Sequence, residues 1–219
     1  MIRLSIVGSA LFAGLLALGP PSTAEAAAQA QVPAFLAAAV ANPARPAADV
    51  ARDANRKPAE TLMFAGIAPG MKVAELVPGG GYYTRIISKA VGLTGHVYAL
   101  VPAPRADAPA DTPDFAARVE AIAAEPGYSN LSVVVEPFAQ IKTPEPVDLV
   151  WTSDNYHDLH NLPGLNLTVF NQMVFDALKP GGIYLVLDHS SVPGAGITVT
   201  CGAGIVAAAW RRRPTAEIA

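Results

Sequence analysis

The chain has 219 residues, a formal net charge of -3 and one cysteine. That length suffices for one domain with a substantial core. The mild acidity, with no basic face before Arg211–Arg213, argues against nucleic acid as a partner, and a lone Cys201 excludes an internal disulfide and a cysteine-built zinc site.

The first residues read as a secretory signal. Arg3 supplies a positive start, Leu4–Leu18 is apolar and broken only by small residues, and Ala24-Glu25-Ala26 fits a small-x-small cleavage site. The run is short for a membrane span. The expectation is a signal peptide over 1–26, an exported mature protein (periplasmic or extracellular) and no stable membrane insertion after cleavage. An Ala/Pro-rich arm over 27–57 follows, with a short helix near Phe35–Val40, and is expected to lie over the domain. Its charged stretch Asp49–Lys57 reads as a solvated helix face. Pro58 suits a first helical position, and Ala59–Gly66 reads as a helix with Leu62, Met63 and Ala65 inward.

Val73–Thr84, V-A-E-L-V-P-G-G-G-Y-Y-T, is the organising stretch. It predicts a strand carrying one acid, Glu75, then a glycine turn, then a helix over Thr84–Val91. Glycine lets backbone approach a ligand closely, and a helix start presents free N–H groups and positive potential. Downstream, strands are expected at His96–Val101, Leu131–Val135, Val147–Trp151 and Ile183–Leu187. Helices are expected at Asp114–Glu125 and Thr168–Leu178, and Lys179-Pro180-Gly181-Gly182 ends the latter. Strands alternating with helices mean a parallel sheet with helices on both faces, with ligands at the carboxyl ends of its strands.

The turn does not fit the Gly-x-Gly-x-x-Gly of dinucleotide enzymes, because Gly79-Gly80-Gly81 is contiguous and two tyrosines follow. An acid inside the first strand suits S-adenosyl-L-methionine, whose amino-acid end carries an ammonium and a carboxylate. Glu75 is expected to complement the ammonium, and the amides of the turn the carboxylate. Cofactor contacts are assigned to Glu75, Pro78, Gly79, Gly80, Gly81, Tyr82, Tyr83 and Thr84; the two tyrosines suit the core and the ligand equally, and alternate sides of a helix start would allow one of each.

E-L-V-P-G-G-G-Y-Y-T, V-D-L-V-W-T-S-D-N-Y-H-D-L-H and A-L-K-P-G-G-I-Y-L-V-L-D-H together resemble an exported family of predicted class I S-adenosylmethionine-dependent methyltransferases, as does R-D-A-N-R-K-P-A-E-T-L ahead of the first strand. The resemblance spans about Pro43–Gly196. It implies a Rossmann-like sheet, a methyltransferase-like domain over 58–196 and methyl transfer to a small-molecule acceptor.

The loop after the fourth strand is expected to act on that acceptor. His157 is the candidate general base, since its unperturbed pKa lies near neutrality; Tyr156 would stack on adenine or hold the acceptor, and Asp154 would orient His157 or accept from the ligand amine. His157, Asp158, His160, Asp188 and His189 would offer nitrogen and oxygen to a divalent ion if their loops converged, but the spacing matches no ligand motif and no metal is expected. Two departures from the family pattern stand out. Leu100 and Val101 occupy the place where an acid binds the ribose hydroxyls, with Asp107 as a distant substitute. Residues 197–219 form an atypical tail, Gly/Ala-rich and poor in strand formers, expected to leave the final strands missing or altered through a frameshift or truncation near Gly196. These departures, together with export away from where S-adenosylmethionine is made, leave a second reading open: a non-catalytic exported ligand-binding protein with a degenerate methyltransferase fold.

Overall fold

The computed structural model describes residues 31–104, 108–137, 140–190 and 204–212, and only the backbone of 160, 190 and 204–208. The expected signal segment and Asp107 lie outside the described residues. The chain divides into two compact units, Met1–Gln31 and Val32–Ala219, and the second carries every element below. Among the described residues no helix is long and apolar enough to cross a membrane.

The arm folds into three short helices, α1 (Ala34–Val40), α2 (Ala47–Val50) and α3 (Asp53–Arg56). α1 buries Leu36 and Ala39 in the main core, and a leucine side chain so buried contributes about 1.5–3 kcal/mol. Lys57 adopts a left-handed conformation and Pro58 opens α4 (Pro58–Phe64). There follow β1 (Lys72–Leu76), α5 (Tyr82–Val91), β2 (His96–Pro102), α6 (Phe115–Ala123), β3 (Leu131–Glu136), β4 (Val147–Ser153), α7 (Tyr156–Asn161), α8 (Leu167–Ala177), β5 (Leu178–Ser190) and β6 (Gly204–Arg211). Two helices begin as their sequences suggest: the Asp114 carboxylate accepts from Ala117 N–H at α6, and Asn166 caps α8.

The sheet order is β3-β2-β1-β4-β5-β6. β1 to β5 pair in parallel and β6 runs antiparallel to β5. The chain order reverses direction between β1 and β4, which puts the topological switch point at their carboxyl ends. One core cluster, with Trp151, Tyr83, Ile86 and Leu185, covers one face of the sheet; another, with Val150, Phe170 and Tyr184, covers the other.

The tail, expected to leave the final strands missing or altered, supplies one Gly/Ala-rich strand, β6, and the described residues form a six-stranded sheet. Gly204–Arg211 pairs with Ile183–Ser190 along the whole length of the strand. A partner already in place offers a full ladder of backbone hydrogen bonds, and this outweighs the weak strand propensity of Gly and Ala. Arg212 completes the anchor: its Nη1 donates to Phe175 O at 3.0 Å and to Leu178 O, placing a cation at the carbonyl end of α8. β6 is therefore one edge of the sheet, β3 the other, and β5 is an interior strand.

Candidate active site

The turn between β1 and α5 is closed by Gly81 N–H donating to Pro78 O at 3.0 Å. Gly81 has φ +85°, and a Cβ there would run into Ile122 Cδ1, so glycine is required. Val77, just before the turn, has φ +50°, and Asp154, at the matching end of β4, has φ +56°. Positive φ is strained for an aspartate and more so for a β-branched valine. Both strained residues border the same cleft, as strain gathered at a functional site does.

That cleft has a volume of about 310 Å³ and is bounded by Glu75, Gly79, Gly80, Tyr82, Arg56 and Asp154, among others. Glu75 is 2% exposed. Burial pushes its pKa from the ordinary 4.5 to about 7, with Thr84 opposing the rise. Neither Glu75 Oε2 nor Thr84 Oγ1 completes a hydrogen bond, and buried Asp154 Oδ1 lacks a partner as well. Buried polar atoms are almost always paired, so two unpaired carboxylate oxygens bordering one cleft mark a place for a cationic or hydrogen-bond-donating ligand.

The charged stretch Asp49–Lys57, expected to be a solvated face, lines part of this cleft through Arg52 and Arg56. Arg45 is buried and forks onto Asp53 at 2.8 and 2.6 Å. Tyr82 Oη donates to the same Asp53 carboxylate at 2.6 Å. Arg52 and Arg56 place guanidinium groups 4.8 and 5.0 Å from the centre of the Tyr82 ring, within cation–π range. Arg56 then pairs with Asp154 at 2.6 Å. Arg52 and Arg56 thus border the site, a role the sequence reading missed; the signal was a charged stretch immediately upstream of the first strand.

Asn155 ties the strand ends together, donating from Nδ2 to Ser153 O at 2.9 Å and to Leu76 O and Val77 O at 3.4 Å each. A neighbouring apolar pocket of about 360 Å³ shares Val77, Pro78 and Gly79 with the cleft and extends to Val101, Pro102 and Phe115. A ligand lying over the glycine turn would have a charged compartment on one side and an apolar one on the other.

His157 has a different partner from the one expected. Its Nδ1 lies 2.6 Å from Asp188 Oδ1, and its backbone N–H donates to Asp188 Oδ2 at 2.7 Å. Asp188, at the end of β5, therefore orients the imidazole, while Asp154 is engaged by Arg56. Tyr156 is not among the residues bordering the cleft; its hydroxyl pairs with Asn171 and its ring packs 6.3 Å from Tyr184. Pro78, Gly79, Gly80, Tyr82 and Tyr83 do border the cleft, whereas Gly81 shapes the turn from beneath and Thr84 lies buried below it. Both tyrosines are buried, at 4% and 2% exposure, and both border the cleft.

No protein-family model matches the chain, and no curated protein matches it. Solved structures do. A SAM-dependent methyltransferase from Aquifex aeolicus superposes with a TM-score of 0.54 and 22% identity over 67% of this chain and 71% of that one. A protein-L-isoaspartate O-methyltransferase gives a TM-score of 0.48 and 18% identity over 71% of this chain and 40% of that one. A SAM-dependent O-methyltransferase from Thermotoga maritima gives 0.45 and 17% over 61% and 45%. The chain thus spans less than half the length of the latter two. This is the class I methyltransferase fold.

In this fold the glycine turn, the end of β2 and the end of β4 surround one ligand position at the switch point, and the cleft and the apolar pocket occupy that place. The end of β2 carries Leu100, Val101 and Pro102, so no carboxylate stands there. The arrangement can complement a cation through Glu75 and Asp154, an anion through Arg52 and Arg56, and an apolar group beyond the turn. One shell away it holds an imidazole–carboxylate pair.

Proposed function

We propose that this chain binds S-adenosyl-L-methionine and transfers its methyl group to a small-molecule acceptor. The observation that carries this reading is the buried, unpaired Glu75 Oε2 beside the glycine turn. The cofactor's ammonium would satisfy it, and the resulting charge pair would hold Glu75 ionised. Gly79 and Gly80 leave open space where the amino-acid end would lie, and the apolar pocket would take the nucleoside. When bound, the cofactor supplies the electrophilic methyl group; the chain aligns the acceptor and removes its proton. His157, oriented through Nδ1 by Asp188, would take that proton at Nε2, which lies 3.4 Å from Asp158 Oδ1, and Asp154 would contact the ligand amine. Export of the mature protein is part of this reading and is supported by the composition of residues 1–26.

His157→Ala tests the assignment. Binding of S-adenosylhomocysteine should stay within about threefold while methyl transfer falls about a hundredfold or more; equal loss of both would mean that His157 only holds the loop. One observation favours the second reading, a non-catalytic ligand-binding protein: the end of β2 lacks an acid for the ribose hydroxyls. That reading predicts cofactor binding without turnover for any acceptor.

A further inference from the structure

We propose that His157, Asp188 and His189 form a binding site for one divalent transition-metal ion. Two separate segments build it: His157 opens α7 after β4, and Asp188 and His189 lie at the end of β5. Each of the three offers a ligand atom, and these atoms all lie within 4.8 Å of one another. The two imidazole rings are 5.2 Å apart, inclined at 66°. Asp188 is buried, His157 is partly buried and His189 is exposed. Two imidazoles and one carboxylate with open positions suit zinc, iron(II), cobalt or nickel, and are a poor match for magnesium or calcium, which prefer all-oxygen shells.

The distances require little rearrangement. With metal–ligand bonds of about 2.1 Å, neighbouring ligand atoms stand roughly 3–3.5 Å apart. His157 Nδ1 and Asp188 Oδ1 are at hydrogen-bond distance, 2.6 Å; the cation takes the place of the proton in that hydrogen bond, which leaves to solvent. His189 is exposed and free to rotate inward, while its backbone N–H stays on Asp188 Oδ1 at 2.7 Å. Asp188 Oδ2 remains fixed by His157 N–H, so the carboxylate is oriented before the ion arrives. Asp158 Oδ1, 3.4 Å from His157 Nε2, borders the ligand cleft and puts the ion one residue from it. His157 then acts as a base in the metal-free chain and as a ligand in the loaded one. The site itself does not depend on the methyl-transfer reading.

The test uses the full chain, stripped with a chelator and titrated with Co²⁺ alone, followed by visible absorption, and with Zn²⁺ by calorimetry. The expected result is saturable binding of one ion per chain with Kd below about 10 µM. His189→Ala should weaken it at least about tenfold while keeping the unfolding midpoint, since His189 is exposed. Asp188→Asn should weaken it further, and His96→Ala, at the opposite end of the sheet, should leave it unchanged. Absence of saturable binding, or binding that survives both His189→Ala and Asp188→Asn, would overturn the proposal. No adenosyl ligand is present, so a failure of methyl transfer leaves this result readable.

Discussion

Arg56 Nη2 stands 2.6 Å from Asp154 Oδ2, joining the N-terminal arm to the end of β4 beside the ligand cleft. Asp154 makes this contact from a left-handed backbone, φ +56°. Asp154→Ala and Asp154→Gly both leave Arg56 without its partner, but only alanine must also occupy the left-handed region with a Cβ. The glycine variant should therefore be the more stable of the two by about 1 kcal/mol in urea unfolding. An alanine variant of equal or greater stability would mean that the backbone here carries no strain.

Glu75 makes stability depend on pH. Its folded pKa, about 7, lies above the ordinary 4.5. A raised folded pKa means that the folded chain binds the proton more tightly than the unfolded chain. The associated stability is present below about pH 4.5, is lost as pH rises to about 7, and stays lost above that. At about 1.4 kcal/mol per pH unit the full change is ~3 kcal/mol. Glu75→Gln removes the titrating group, so the stability difference between variant and wild type should swing toward the variant by that amount between pH 4.5 and 8, without ligand. A flat difference across this window would show that Glu75 titrates normally.

The glycines of the turn should separate folding from binding. A Cβ at Gly80 would meet no heavy atom within 4 Å, whereas one at Gly81 would collide with Ile122. Gly81→Ala should destabilise the fold by about 2 kcal/mol or more. Gly80→Val should fold normally and bind S-adenosylhomocysteine at least about tenfold more weakly, or about 1.4 kcal/mol. Unchanged affinity in the folded Gly80→Val chain would move the ligand away from this turn.

Much of this architecture was legible in the sequence because it rests on local patterns. The runs at Val73–Val77 and Val147–Trp151 are nearly continuous and apolar, as strands covered on both faces must be, and the structure places β1 and β4 there with ends shifted by one or two residues. Asp114 and Pro58 marked their helix starts by chemistry that acts within one turn. What escaped depends on partners far away in the chain. The Gly/Ala-rich β6 is a strand only because β5 is beside it. The arginines of the arm are held by Tyr82, Asp53 and Asp154, and no periodicity within 49–57 announces that. His157 was singled out for its chemistry, but its orienting carboxylate, Asp188, lies 31 residues on and becomes its neighbour only through the parallel pairing of β4 with β5.

The central claim is that the cleft over Glu75 and the glycine turn holds S-adenosyl-L-methionine. Calorimetric titration of the full chain with S-adenosylhomocysteine, alongside Glu75→Ala, tests it most directly. The account predicts saturable binding of one ligand per chain with Kd below about 100 µM, weakened at least about tenfold in the variant. Heats no greater than dilution up to about millimolar ligand, or equal affinity in the folded Glu75→Ala chain, would contradict it.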